Sequence, residues 1–134
     1  MYKVSVQIEF DYAHRLSHHK GKCCNIHGHR GLAIITVEAK ELGEDDLVID
    51  FKDIKSPVTN WLNEHWDHAL LLNSQDPFLN VFEQLKIRLY VFENSEPTAE
   101  IMAKELFSVC CSLNIPVTQV SIKESENSKA TYSK

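Results

Sequence analysis

From Tyr2 the apolar residues fall at every second position, Tyr2, Val4, Val6, Ile8, Phe10 and Tyr12, with Lys3, Ser5, Gln7 and Glu9 between them. Alternation of this period is the signature of a half-buried strand. Carried on without a bulge, it brings His14 to the apolar face, where an imidazole needs a polar partner. A second alternating run covers 27–39, and His27, His29, Gly31, Ala33, Ile35, Val37 and Ala39 share one face of it, because i and i+2 point the same way on a strand. His27 and His29 therefore project side by side at the polar end of an apolar stripe. The loop 17–26 favours antiparallel pairing of the two runs, and that pairing draws His14 toward the other two histidines.

The period changes after a turn at Glu44-Asp45-Asp46 and a short apolar stretch at 47–51. Ile54, Val58, Trp61, Leu62 and His65 recur at helical spacing, with Ser56 as the expected cap, Pro57 in the first turn and an end near 65–68. Residues 73–77 read as a turn, 78–85 fit neither period, and 87–92 are β-branched and aromatic enough for a strand. Thr98 predicts the cap of a second helix running through Leu113, with Ile101, Met102, Leu106, Val109, Cys110 and Leu113 on its apolar stripe, stopped by Asn114 and Pro116. A last strand over 117–124 puts Thr118, Val120, Ile122 and Glu124 on one face, so an apolar surface ends on a carboxylate. The tail 125–134 is polar and expected to be loose except near Ala130 and Tyr132. The order ββαβαβ predicts an α+β fold built on an antiparallel sheet, one domain over 1–134.

Composition narrows the function. A chain of 134 residues can bury a core without a stabilising metal or disulfide, so any metal must be explained by chemistry. With 14 Lys and Arg against 19 Asp and Glu, the net charge of −5 argues against general nucleic-acid binding. No apolar run approaches the length of a membrane span, and residues 1–10 alternate where a secretory signal would be uniformly apolar; a cytoplasmic protein is expected. Seven histidines are many for this length, and four of them lie between His14 and His27. The cysteines come as two adjacent pairs, and Cys110-Cys111 read as small apolar residues on a helix.

The main chemical constellation is His14 with His27 and His29. Three neutral imidazoles supply three corners of a tetrahedral zinc site and leave the fourth for water or substrate. Cys23 and Cys24 admit two readings: one of them closes the site as a fourth ligand, or a thiol lies beside an open metal as a base or nucleophile. Asp67-His68, at the end of the first helix, pairs a carboxylate with an imidazole that it could orient for proton transfer. His18, His19, Lys20 and Lys22 form a cationic loop suited to a polyanion.

Phe10-x-x-Ala13-His14-Arg15-Leu16, Cys23-x-x-x-His27-Gly28-His29, Asp50-Phe51, Asp67-His68, Pro97-Thr98-Ala99-Glu100 and the terminal strand ending in Glu124 resemble, in order and over nearly the whole chain, the 6-pyruvoyltetrahydropterin synthase family. The cysteine just ahead of the HGH triplet is most like the bacterial 6-carboxytetrahydropterin synthase branch, which serves queuosine and 7-deazapurine biosynthesis. The resemblance implies a tunnelling fold (T-fold), helices on one face of an antiparallel sheet, and a barrel closed on oligomerisation into a homohexamer, a dimer of trimers with active sites at subunit contacts. It implies zinc on His14, His27 and His29, a catalytic thiol at Cys23, a proton relay at Asp67 and His68, a pterin-gripping Glu124, and substrate contacts from Glu100 and Thr98. The implied reaction converts 7,8-dihydroneopterin triphosphate to 6-carboxy-5,6,7,8-tetrahydropterin with loss of acetaldehyde and triphosphate. A 6-pyruvoyltetrahydropterin synthase and a zinc-stabilised pterin-binding module without catalysis are the rivals. Three places depart from the family pattern: Cys24 beside Cys23, one extra residue between His68 and Asn73, and Ile101 where an asparagine usually follows the PTAE segment.

Overall fold

In the computed structural model, which describes Met1–Lys134, strand β1 (Tyr2–His14) and strand β2 (His27–Ala39) pair antiparallel without a bulge, from Tyr2 opposite Ala39 to His14 opposite His27. Uninterrupted register keeps every even residue of β1 on the face shared with the odd residues of β2. Val6, Ile8, Phe10, Ala33, Ile35 and Val37 are all buried there.

The hairpin is the centre of a sheet of six strands ordered β4-β3-β1-β2-β5-β6, with β3 (Ala69–Asn73), β4 (Leu89–Phe92), β5 (Gln119–Ser125) and β6 (Ser128–Ser133). Helix α1 (Phe51–His65) packs on β1, and α3 (Ala99–Ser112) on β5 and β6; a short α2 (Leu79–Gln84) joins β3 to β4. Ile54, Val58 and Leu62 of α1 and Met102, Ala103 and Leu106 of α3 complete one core with the apolar sheet face.

Three sequence expectations are corrected, and one unassigned stretch gains a strand. The sheet is mixed, because β3 runs parallel to both β1 and β4; α1 and α2 supply the crossovers that parallel neighbours need. Residues 69–73 form a strand buried at every position, and such a run carries no alternation to read. Helix α1 begins at Phe51, where the Asp50 carboxylate accepts from Lys52 N at 3.0 Å, so Pro57 lies inside the helix and Ser56 caps nothing. Burial of Ile54, Val58 and Leu62 offsets the backbone bond that a proline cannot donate. The tail is ordered as β6, paired with β5, and the Tyr132 ring meets Phe107 at 5.1 Å.

Candidate functional site

The last rungs of the β1–β2 hairpin place His14 opposite His27 and Tyr12 opposite His29. Ligand nitrogens of His14, His27 and His29 lie within 4.8 Å of one another, and no sulfur belongs to the group. His14 Nδ1 donates to Pro97 O at 2.7 Å, and His27 Nδ1 to Asn25 O at 2.8 Å. A carbonyl can only accept, so in the neutral rings both Nε2 atoms carry lone pairs. They stand 3.0 Å apart, and His29 Nε2 is buried without any partner. Two facing nitrogen lone pairs and a third ring nitrogen buried without a partner fit a divalent cation, and the carbonyls fix two of the tautomers that ligation requires. Burial holds His14 below the usual histidine pKa, against the upward pull of the Pro97 carbonyl and of Glu124; neighbouring His27 and His29 push the same way as burial.

Glu124 comes to this cluster from β5, where the β5–β6 register is irregular between Lys123 and Ser125. Irregularities of this kind re-aim side chains at strand ends. Its Oε1 is 3.8 Å from His14 Nε2 and accepts from the Tyr12 hydroxyl at 3.4 Å. Burial first, and then the charge of Glu124, raises the Tyr12 phenol well above its ordinary range, so it remains a donor. A pocket of about 390 Å³ at these strand ends is walled by Glu9, Arg30, Leu32 and Lys123, which alternate onto the sheet face away from Tyr12 and His14, and Glu124 reaches its edge.

The loop carrying the cysteines is fastened from below. Leu16 N donates to Cys23 O at 2.8 Å, and Arg15 Nη1 to Cys24 O at 3.1 Å. The Arg15 guanidinium is paired with the buried Asp76 at 2.7 Å and lies 4.2 Å above the Phe78 ring. Glu96 accepts from Ser17 Oγ at 2.6 Å and from His18 N at 3.0 Å. Cys23 and Cys24 sit half-buried in a single 3-10 turn, Lys22–Cys24.

Asp67 and His68 lie elsewhere. Asp67 Oδ1 accepts from Asp11 N and Oδ2 from His68 Nδ1, both at 2.9 Å, and His68 takes a left-handed backbone with φ 57°. Burial alone would raise the Asp67 pKa; the Asp11 amide, the His68 hydrogen bond and charge, and Arg88 outweigh it and hold the carboxyl below its usual range. The Asp11 side chain groups with this pair. Since adjacent strand residues point to opposite faces, the Asp11–Asp67–His68 group lies across β1 from Tyr12 and His14. One chain thus brings together His14, His27, His29 and Glu124 and keeps Asp67-His68 apart from them.

Thr98 caps α3 by accepting from Ile101 N at 3.2 Å, and Glu100 is exposed on the first turn. The nearest contribution of the Pro-Thr-Ala-Glu segment to the histidines is the Pro97 carbonyl, which sequence reading missed because a carbonyl belongs to every residue. Tyr12 and Arg15 were also missed; their signal was position, two residues before His14 and one after it.

Known proteins share this architecture. A structure from Wolinella succinogenes superimposes with TM-score 0.81 at 22% identity, over 98% of this chain and 97% of that one. The 6-pyruvoyl tetrahydropterin synthase of Caenorhabditis elegans does so with TM-score 0.73 at 21% identity, over 99% and 95%. The mixed sheet with its helices is therefore the tunnelling fold. At the sequence level, the 6-carboxy-5,6,7,8-tetrahydropterin synthase of Rickettsia conorii is 34% identical over 136 residues, 95% of this chain and 96% of its own. The enzyme of the same name from Rickettsia bellii is 37% identical over 108 residues, 79% and 78% of the two chains. The family model described as 6-pyruvoyl tetrahydropterin synthase matches residues 3–134, and the chain belongs to that family.

Proposed function

We propose that this protein is a zinc-dependent 6-carboxytetrahydropterin synthase, taking 7,8-dihydroneopterin triphosphate to 6-carboxy-5,6,7,8-tetrahydropterin, acetaldehyde and triphosphate. The observation that carries the reading is the set of three imidazole nitrogens, two of them with carbonyl-fixed tautomers and the third buried without a partner, with the Glu124 carboxylate 3.8 Å from the first of them. The relatives that bear this name over most of the chain support the choice of product.

His14, His27 and His29 hold the zinc, and no thiolate completes the set. Bound there, zinc acts as a Lewis acid that lowers the pKa of a substrate hydroxyl. Glu124 takes the guanidine-like edge of the pterin, whose two adjacent N–H groups match a carboxylate. Cys23 accepts and returns a proton at the substrate side chain. Asp67 Oδ2 holds the Nδ1 proton of His68, which leaves the exposed Nε2 to exchange protons. Because that pair lies across β1 from the histidines, it serves the zinc site of a neighbouring copy, in a homohexamer of stacked trimers. Thr98 and Glu100 complete the substrate contacts from the start of α3.

Incubation of the zinc-loaded protein with dihydroneopterin triphosphate, with every product identified, tests the proposal. Equimolar acetaldehyde and the 6-carboxy product are expected. A pyruvoyl product without acetaldehyde, or no turnover with pterin bound, overturns it.

A further inference from the structure

We propose that Tyr12 is the positioning residue for the pterin-binding carboxylate: its hydroxyl donates to Glu124 Oε1 and holds that side chain facing the substrate. The inference rests on the reading of Glu124 given above and adds a residue to it. Glu124 is 27% exposed, and a glutamate at a strand end has rotamers to lose. Among the histidines the nearest group is His14 Nε2, 3.8 Å from Oε1, a separation too long to fix the carboxylate by itself. Tyr12 is the anchor. Its ring is 4% exposed and is held by Phe10 at 5.2 Å, by the edge contact with His14 at 5.2 Å and by His29 at 5.5 Å. The hydroxyl therefore has a fixed address, and Glu124 is its one hydrogen-bond partner. A donor on Oε1 leaves the other lone pairs of the carboxylate for the two ligand N–H groups.

Gly31 makes this arrangement possible. A Cβ at that position would stand 2.9 Å from Tyr12 Cε1 and 2.9 Å from Phe10 Cζ, and both rings are packed too tightly to withdraw. The bare backbone at 31 is the space the phenol needs to reach across to β5.

Tyr12→Phe keeps the ring and deletes only the donor. In the zinc-loaded full chain, with 7,8-dihydroneopterin as the probe in a calorimetric titration, Tyr12→Phe is expected to weaken binding about tenfold. Zinc content and melting temperature should stay as in the parent. Glu124→Gln should weaken binding further, and adding Tyr12→Phe to it should cost nothing more, because the phenol acts only through the carboxylate. Unchanged affinity in Tyr12→Phe with weakened binding in Glu124→Gln overturns the inference and leaves the role of Glu124 standing. Unchanged affinity in Glu124→Gln removes that role and this inference together. Additive losses in the double variant place Tyr12 on the ligand directly and also overturn the inference.

Discussion

His14 and His27 meet across the last rung of the β1–β2 ladder with their Nε2 atoms 3.0 Å apart, each having already given its Nδ1 proton to a carbonyl. Two lone pairs facing each other at that distance repel, and a divalent cation turns the repulsion into shared attraction. His14→Ala, His27→Ala and His29→Ala should each lower zinc affinity by more than about a hundredfold, since loss of a mere supporting contact already costs up to that. Competition with a chromophoric chelator measures it. Equimolar zinc retained in all three variants would remove the ligand set.

The proposed site takes Cys23 and His68 from different copies of the chain. Cys23→Ala and His68→Ala should each retain zinc and lose turnover, while Cys24→Ala should keep most of it. Co-expressed in equal amounts, the two inactive chains should recover about a quarter of the parent activity, the fraction of sites that draw both intact residues from different copies under random assembly. No recovery in confirmed mixed oligomers would mean that each site is built within one copy.

Asp67 ties pH to stability. Its pKa is depressed in the folded state, so its contribution is fully present above the ordinary carboxylate range and is lost as pH falls through the lower folded value. Below about pH 4 the parent should therefore lose melting temperature more steeply than Asp67→Asn. Parallel melting curves for the two proteins across that range would sever the link.

Arg15 and Asp76 form a buried pair, with side chains 11% and 0% exposed. Arg15→Met strands the carboxylate and should cost about 3–5 kcal/mol in urea unfolding. Arg15→Met combined with Asp76→Leu should recover part of that loss. An unfolding midpoint unaffected by Arg15→Met would show that Asp76 is not held by the charge.

The hairpin and its histidines were legible because alternation without a bulge fixes both face and register. His14, His27 and His29 could be placed together from spacing, and Glu124 was readable as the end of an apolar face. Residues 69–73 were not, since a strand covered on both faces shows no period. The start of α1 was misread because Ser56-Pro57 is a strong local signal, while the cap in use, Asp50, stands ahead of the apolar stripe. Asp67-His68 was legible as a pair, but which face of β1 it would occupy depends on the path of the chain through α1. The tail showed only Ala130 and Tyr132 as apolar residues; its pairing with β5 is a backbone property.

The grip on His14 comes from the main chain at Pro97. Any amino acid at 97 brings the same oxygen, so substitution there leaves the acceptor in place and acts only by bending the approach to α3. Control over the electronic state of the innermost imidazole is thus delegated to the route of the polypeptide, and a small displacement of the α3 entrance would be felt at His14 Nε2.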